Sequence, residues 1–180
     1  MVEIRPIRGE DWQQLRAVRL RALADAPQAF GSTLAGEVQF PDGVWIARAQ
    51  RGAAGETART FVAVLDEQFH GLAGVFLSEE DRAVAYFVSF WVDPAHRRQR
   101  TGLRLMRAAE QWAQDAGAER LELWVTENNE AARGFYEQAG FADTGRRQPL
   151  PSHPHLQEML MVKQLTIEVG VSEPIRAMSP

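Results

Sequence analysis

A group of basic side chains lies where a predicted strand turns into a predicted helix. Residues 86–92 read YFVSFWV, an apolar run typical of a buried strand, and an amphipathic helical pattern begins near residue 101. The side chains between them are His96, Arg97, Arg98 and Arg100. Because the N-terminus of a helix carries unpaired N–H groups and partial positive charge, basic side chains there are unfavourable unless an anion binds. The stretch predicts an anion site, with a solvated basic loop as the equally weighted alternative.

Length and composition narrow the class of protein. The chain has 180 residues, 45% of them hydrophobic, which predicts one globular domain over residues 1–165 and a tail over residues 166–180. With no cysteine there is no disulfide framework, thiolate metal site or thiol nucleophile. The net charge of −4 argues against nucleic-acid binding, and no apolar run is long enough for a signal core or a membrane span. We therefore expect a cytoplasmic protein with no nucleic-acid or membrane partner.

Hydrophobic periodicity predicts the order of helices and strands. Strands are predicted at residues 2–7, 61–65, 72–77, 84–92, 121–125, 141–144 and 158–165. Helices are predicted at residues 12–25, 45–51, 101–116 and 129–138, with Ser32 or Thr33 as the cap of a further short helix. Gly52 is expected to end the second helix, and residues 149–155 are expected to form a Pro- and His-rich loop. The order predicts an α+β fold, a three-layer α/β/α arrangement whose mixed sheet is mostly antiparallel with one parallel pair.

Two motifs on this scaffold resemble signatures of the GNAT superfamily of N-acetyltransferases. Residues 92–102 read VDPAHRRQRTG, similar to the family's Val-x-Pro strand end followed by Arg/Gln-x-x-Gly-x-Gly/Ala. Residues 129–141 read NEAARGFYEQAGF, similar to its N-x-x-A-x-x-(F/L)-Y-x-x-x-GF signature. The resemblance extends over the element order to about residue 165. It implies acetyl transfer from acetyl-CoA to an amine, with the parallel strand pair splayed apart around the cofactor.

The resemblance also implies which residues hold acetyl-CoA. The strand whose exposed backbone pairs with the pantetheine arm matches Phe90, Trp91 and Val92. The loop that wraps the pyrophosphate matches Arg97, Arg98, Gln99, Arg100, Thr101, Gly102 and Leu103, and Asn129 matches an asparagine beside the pantetheine. Arg100 stands where the family has its first glycine. We expect the loop to tolerate it because helical φ is negative, with the Arg100 side chain pointing away or onto a phosphate.

Catalytic roles follow from the same resemblance. Tyr136 matches a tyrosine that protonates the departing thiolate, and a phenol with its ordinary pKa near 10 is protonated at neutral pH. Some relatives carry a glutamate as general base at the position of Trp124. Glu122, two residues earlier on the same strand face, is the expected replacement, with a chain of water molecules as the alternative. Without the resemblance, core packing would be the favoured interpretation of Tyr136, and a solvated strand position that of Glu122.

Several alternatives remain open at this level. The favoured acceptor is a primary amine of a small molecule, and a protein N-terminus or lysine is the second choice. A catalytically silent acyl-CoA sensor and a plain phosphate- or nucleotide-binding protein are the rival functions. No metal is expected, because His153 and His155 have no partner cluster. The acceptor walls are expected at residues 28–44 and 147–157, where Glu37 and Asp42 could attract a cation; a homodimer paired through its sheets is a further expectation.

Overall fold

A seven-stranded sheet in the order β1-β2-β3-β4-β5-β7-β6 organises the computed structural model, which describes residues 2–165. The strands are β1 Glu3–Pro6, β2 Ala58–Leu65, β3 Gln68–Leu77, β4 Val84–Val92, β5 Arg120–Thr126, β6 Ala142–Leu150 and β7 His153–Gln164. The helices are α1 Trp12–Asp25, α2 Leu34–Val38, α3 Asp42–Ala54, α4 Thr101–Asp115 and α5 Glu130–Gln138. All neighbouring strands pair antiparallel except β4 and β5. The predicted mixed sheet with one parallel pair is confirmed.

Two hydrophobic clusters cover the two faces of the sheet. One contains α1 and α3 residues, such as Val18 and Trp45, packed on Val62 and Leu72. The other contains α4 residues packed against the opposite side of β2 to β5. Helices α1, α3 and α4 each bury one face because their buried residues recur mostly at three- and four-residue spacing. The result is the expected three-layer α/β/α arrangement, and none of the helices between residues 2 and 165 is long and apolar enough to cross a bilayer.

The prediction that Gly52 ends the second helix is wrong. The helix continues to Ala54, and Gly55, with φ of 70°, forms its C-terminal cap. Gly52 is buried inside the helix, where an added Cβ would lie 2.6 Å from Thr60 Oγ1. This glycine therefore permits close packing of α3 on β2, which sequence alone does not distinguish from a helix stop.

The predicted loop over residues 149–155 is also wrong in extent. Strands β6 and β7 are longer than expected and are joined by a turn at residues 151 and 152. Pro149 is tolerated inside β6 because β6 lies at the edge of the sheet, where one side of the backbone needs no partner. Thr33 caps α2 by accepting a hydrogen bond from the Gly36 amide, as predicted. The predicted tail, residues 166–180, lies outside the described part of the chain.

Candidate active site

Strands β4 and β5 pair over three residues only and then separate. Their register runs from Val84 opposite Arg120 to Tyr86 opposite Glu122. Beyond Tyr86, β4 contains a bulge in its pairing with β3, where Ser89 has φ of 54°. A bulge bends the strand and increases its twist. The edge of β4 that faces β5 is thus left without a strand partner at the C-terminal ends of the parallel pair.

A cavity of about 680 Å³ occupies the gap between the two strands. This volume lies within the range of small-molecule and cofactor sites. Every predicted cofactor residue except Gln99 lines it, namely Phe90, Trp91, Val92, Arg97, Arg98, Arg100, Thr101, Gly102, Leu103 and Asn129. Tyr136 lines the same cavity. The tertiary structure therefore brings both motif regions, about forty positions apart in sequence, around one space.

The loop before α4 differs from the sequence expectation at Arg100. Arg98 and Arg100 have φ of 62° and 61°, in the left-handed region, whereas negative φ was expected at Arg100. Glycine is common at such positions because side chains there clash with the backbone. Arg100 is the N-cap of α4, and the first helical residue, Thr101, has a buried hydroxyl with no partner among residues 2–165. The turn therefore leaves both first-turn amides and a buried hydroxyl at the cavity, which suits a phosphate oxygen.

Arg97 is occupied by contacts within the protein. Its Nε donates to the Val92 carbonyl at 2.9 Å, and its guanidinium pairs with Asp25 at the end of α1. Asp25 also accepts a hydrogen bond from Trp91 Nε1 at 2.9 Å. Burial by itself would raise the pKa of Asp25, but the hydrogen bonds from Trp91 and Arg97 outweigh it and hold the pKa below its usual value. Arg97 therefore fastens the loop to α1 and β4, a role that the motif did not indicate.

Arg98 and Arg100 have no side-chain partner in the described part of the chain, so their guanidinium groups are available to an anion at the cavity. Gln99, which points its amide at the Ala95 carbonyl, does not line the cavity. The second glycine position of the motif, Gly102, lies against β4, where an added Cβ would come within 3.1 Å of the Phe90 ring. The loop therefore presents the guanidinium groups of Arg98 and Arg100, unpaired within residues 2–165, beside the close contact between α4 and β4.

Tyr136 lies within a group of aromatic rings. The centroids of the Phe141, Phe90 and Phe87 rings are 5.8, 6.1 and 6.5 Å from that of Tyr136. Burial among these rings raises the pKa of the Tyr136 phenol well above its ordinary value, because the anion is poorly solvated there. Its hydroxyl has no hydrogen-bond partner within residues 2–165. The phenol is therefore a proton-bearing donor in an apolar wall.

Asn129 lies at the start of α5 and has a local structural task. Its side-chain oxygen accepts a hydrogen bond from the Ala132 amide at 3.1 Å, which is an N-cap. Asn129 lines the cavity, and its amide nitrogen has no acceptor among residues 2–165. A capped helix start therefore positions the donor that the motif predicts.

Glu122 does not reach this cavity. It lies on the paired part of β5, opposite Tyr86, and accepts a hydrogen bond from Arg120 Nε at 3.0 Å. Arg120 also pairs with Asp81. Asp81 precedes β4, so this pair lies at the end of β4 and β5 that is remote from the loop of residues 93–100. Trp124, Val125 and Thr126 are the β5 residues that line the cavity. Two residues along a strand move a side chain by about 7 Å, which here separates Glu122 from the site.

The two segments expected to form acceptor walls meet each other. Ser152 Oγ donates to the Phe30 carbonyl, and Thr126 Oγ1 on β5 donates to the Gln28 carbonyl at 2.6 Å.

The two acids noted in residues 28–44 already form ion pairs with arginines. Glu37 is buried and pairs with Arg19 and Arg48, both at 2.9 Å, and Asp42 pairs with Arg16. The expectation that these acids could attract a cation is therefore not supported by the geometry.

A group with metal-ligand chemistry occurs where the sequence did not indicate one. Donor atoms of His70, Asp93 and His96 lie within 4.8 Å of one another. Both Asp93 oxygens are already engaged, one by the Ala95 amide at 3.0 Å and the other by Arg21 at 3.1 Å. Asp93 thus joins Arg21 to the turn that follows β4. Of the two histidines considered in the sequence, His153 forms a hydrogen bond between its Nδ1 and Ser152 Oγ at 2.9 Å.

Comparison with known proteins adds independent findings. The model of the acetyltransferase (GNAT) family matches residues 20–141. A streptothricin acetyltransferase from Streptomyces lavendulae is 40% identical over 97 residues, and this match spans 52% of the chain but only 51% of that protein, about half its length. A GNAT-family acetyltransferase from Streptococcus pneumoniae superposes with a TM-score of 0.77 at 21% identity, covering 92% of this chain and 100% of the other. The PaiA N-acetyltransferase of Thermoplasma acidophilum, solved in complex with coenzyme A, superposes with a TM-score of 0.68 at 17% identity over 91% of this chain and 99% of the other.

Proposed function

The chain belongs to the acetyltransferase (GNAT) family, and we propose that it transfers the acetyl group of acetyl-CoA to a primary amine of a small molecule. One observation carries the proposal. The cavity between the separated strands β4 and β5 is lined together by the cationic loop, the free edge of β4 and Tyr136. An anion site, an extended backbone edge and a proton donor are the three features that a phosphate-bearing thioester with an amide-rich arm requires.

The residues have separate tasks in this proposal. The amides of Thr101, Gly102 and Leu103 bind pyrophosphate oxygens, with the Arg98 and Arg100 guanidinium groups as counter-charges. The free edge of β4 at Phe90 to Val92 bonds the amides of the pantetheine arm. The Asn129 amide supports the same arm. These contacts hold the thioester in place, and positioning supplies much of the rate enhancement of such a reaction.

Acetyl transfer then forms one bond and breaks another. The neutral amine nitrogen attacks the thioester carbonyl carbon, a β4 backbone N–H stabilises the oxyanion, and the carbon–sulfur bond breaks. The Tyr136 hydroxyl donates its proton or a strong hydrogen bond to the departing sulfur. The attacking nitrogen gives up one proton to water, and Tyr136 regains from water any proton that it has given to the sulfur, so the products are an amide and a thiol. The raised pKa of Tyr136 keeps the donor protonated throughout the physiological range.

The structure favours water over a side chain as the proton acceptor. Among the described residues that line the cavity, Asp25 is the one carboxylate, and it is held by Trp91 and Arg97. Glu122 is bound to Arg120 outside the cavity. We therefore assign no proton transfer to Glu122 and propose that the amine loses its proton to ordered water.

The small-molecule acceptor is supported by the streptothricin acetyltransferase relative, which is named for a small-molecule substrate. The test is to incubate the protein with acetyl-CoA and a panel of primary amines and to follow free thiol. Amine-dependent thiol release supports the enzyme. Thermal stabilisation by CoA without thiol release from any amine would instead favour the silent sensor, and release only with peptide amines would favour a protein acceptor.

A further inference from the structure

A second cavity, of about 360 Å³, lies on the opposite side of the β4 bulge from the cofactor loop. Its walls are α1, α3 and the faces of β2, β3 and β4. Four arginines line it: Arg19, Arg48, Arg51 and Arg59. Two come from one face of α3, since residues 48 and 51 are three positions apart. No carboxylate is among the residues that line this cavity.

The positive charge of this cavity is only partly neutralised. Glu37, behind the wall, pairs with Arg19 and Arg48. Burial opposes its ionisation, but the hydrogen bonds from Arg19 and Ser32 outweigh it and lower the pKa of Glu37 to about 2, so it carries one negative charge at neutral pH. Arg51 has no ion-pair partner among residues 2–165, and Arg59 donates to a neutral acceptor, the Ala53 carbonyl at the end of α3, at 2.6 Å. Four cations therefore face a single buried anion.

A buried donor without a partner lies in the wall of the same cavity. Trp45 lines the cavity, its side chain is fully buried, and its Nε1–H has no hydrogen-bond partner among the described residues. A buried unpaired N–H is costly, and in native proteins it usually has a water molecule or ligand as its acceptor. The guanidinium and indole groups can only donate hydrogen bonds. A ligand rich in acceptors and carrying negative charge fits this wall.

The two cavities share a wall. Val88 and Ser89 line both, and Ser89 is the residue with left-handed φ at the β4 bulge. Arg19, which lines the second cavity, donates a hydrogen bond to the Ser89 hydroxyl at 3.4 Å. A molecule anchored among the arginines can therefore extend across the bulge to the strand edge that holds the thioester.

We propose that the acceptor is an amine that also carries an oxyanion, a carboxylate or a phosphate. The oxyanion binds among Arg48, Arg51 and Arg59, and the amine lies at the bulge facing the thioester. This assignment rests on the proposed acetyltransferase function. Its chemistry is set by the arginine-lined cavity of this chain and is independent of the substrate of any relative.

Matched amines test the assignment by activity. O-phosphoethanolamine is compared with ethanolamine, and β-alanine with propylamine, by kcat/KM for thiol release at saturating acetyl-CoA. At least one anionic amine is expected to exceed its uncharged partner about tenfold or more, the effect of one charge-assisted hydrogen bond. The larger ratio distinguishes phosphate from carboxylate. Equal kcat/KM values within both pairs would overturn the assignment.

Variants locate the preference. In the double variant Arg51→Gln with Arg59→Gln, the ratio of kcat/KM for the anionic amine to that for its uncharged partner is expected to fall to about one. Arg107→Gln, an exposed arginine on α4 across the sheet, is the control and should keep the full preference. A preference that survives the double variant would place the anion elsewhere and overturn the site.

Binding is measured without catalysis by the indole N–H signal of Trp45 in a ¹H–¹⁵N NMR spectrum, assigned with Trp45→Phe. With CoA present, saturable shifts on titration with O-phosphoethanolamine or β-alanine, and none with ethanolamine, are expected. No shift with either anion overturns the site, whether or not amines release thiol. A specific shift without thiol release from any amine leaves an anion site but refutes the proposed enzyme, and with it the acceptor assignment.

Discussion

Replacing Arg100 with glycine should stabilise the free protein and weaken its binding of acetyl-CoA. Arg100 has φ of 61° and ψ of 9°, a left-handed conformation that costs a residue with a Cβ about 1–2 kcal/mol. Glycine removes this cost, but it gives up about 0.4–1 kcal/mol because the unfolded chain becomes more flexible. The net gain is about 0.5–1 kcal/mol, or roughly 1–4 °C in Tm for a chain of this size.

The assay is thermal and urea unfolding of the ligand-free protein, followed by circular dichroism. Arg107→Gly is the matched control, because Arg107 is exposed inside α4, where helical φ is negative. Glycine there should lower stability by about 0.8–1 kcal/mol. Both substitutions replace arginine with glycine. A gain in stability for one and a loss for the other therefore isolates the effect of backbone conformation.

The second measurement is acetyl-CoA affinity by calorimetry. Arg100 lines the cofactor cavity without a protein partner within residues 2–165, so loss of its guanidinium is expected to raise Kd about tenfold. Strain retained at a functional position has this combined signature of higher stability and weaker binding. If Arg100→Gly destabilises the free protein as Arg107→Gly does, the strain argument is refuted. An unchanged Kd would mean that the backbone amides bind the phosphates without this side chain.

Further substitutions test the catalytic and structural assignments. Tyr136→Phe should lower kcat on the order of 10²-fold, with the KM for acetyl-CoA nearly unchanged. This loss is at the low end of the range for general acid catalysis, because a phenol of raised pKa is a weak acid. An unaltered kcat would contradict the role of Tyr136. Glu122→Gln should leave the pH profile of kcat/KM intact, and loss of the fall in kcat/KM at low pH would restore Glu122 as the base. Arg97→Ala should lower Tm as well as acetyl-CoA affinity, since it loses contacts to Asp25 and the Val92 carbonyl; a Tm equal to wild type would exclude the fastening role. Because the pKa of Glu37 is lowered from 4.5 to about 2, its ionisation stabilises the protein above pH 4.5 and this contribution is lost as pH falls toward 2. Urea unfolding should show wild type losing about 3 kcal/mol more than Glu37→Gln over that interval, and parallel curves would show that the carboxylate is not stabilising.

Local patterns predicted most of the scaffold. The helix α1, the hairpin of β2 and β3 and the crossover through α4 follow from periodicity and turn residues that lie close together in sequence. Tyr136 and Asn129 were located by a motif whose spacing is that of a single helix and its cap. Such signals depend on neighbouring residues, so they can be interpreted without knowing what packs against them.

The sequence by itself indicated the family, the order of elements and, except for Gln99, the motif residues that line the cavity between β4 and β5. Only the tertiary structure decided the left-handed φ of Arg100, the engagement of Arg97 by Asp25 and the separation of Glu122 from the site. It also decided that arginines from α1, α3 and β2 line one cavity with Trp45. Each of these depends on contacts between residues far apart in the chain, whose distances are set by how helices pack on a twisted sheet and where two parallel strands diverge.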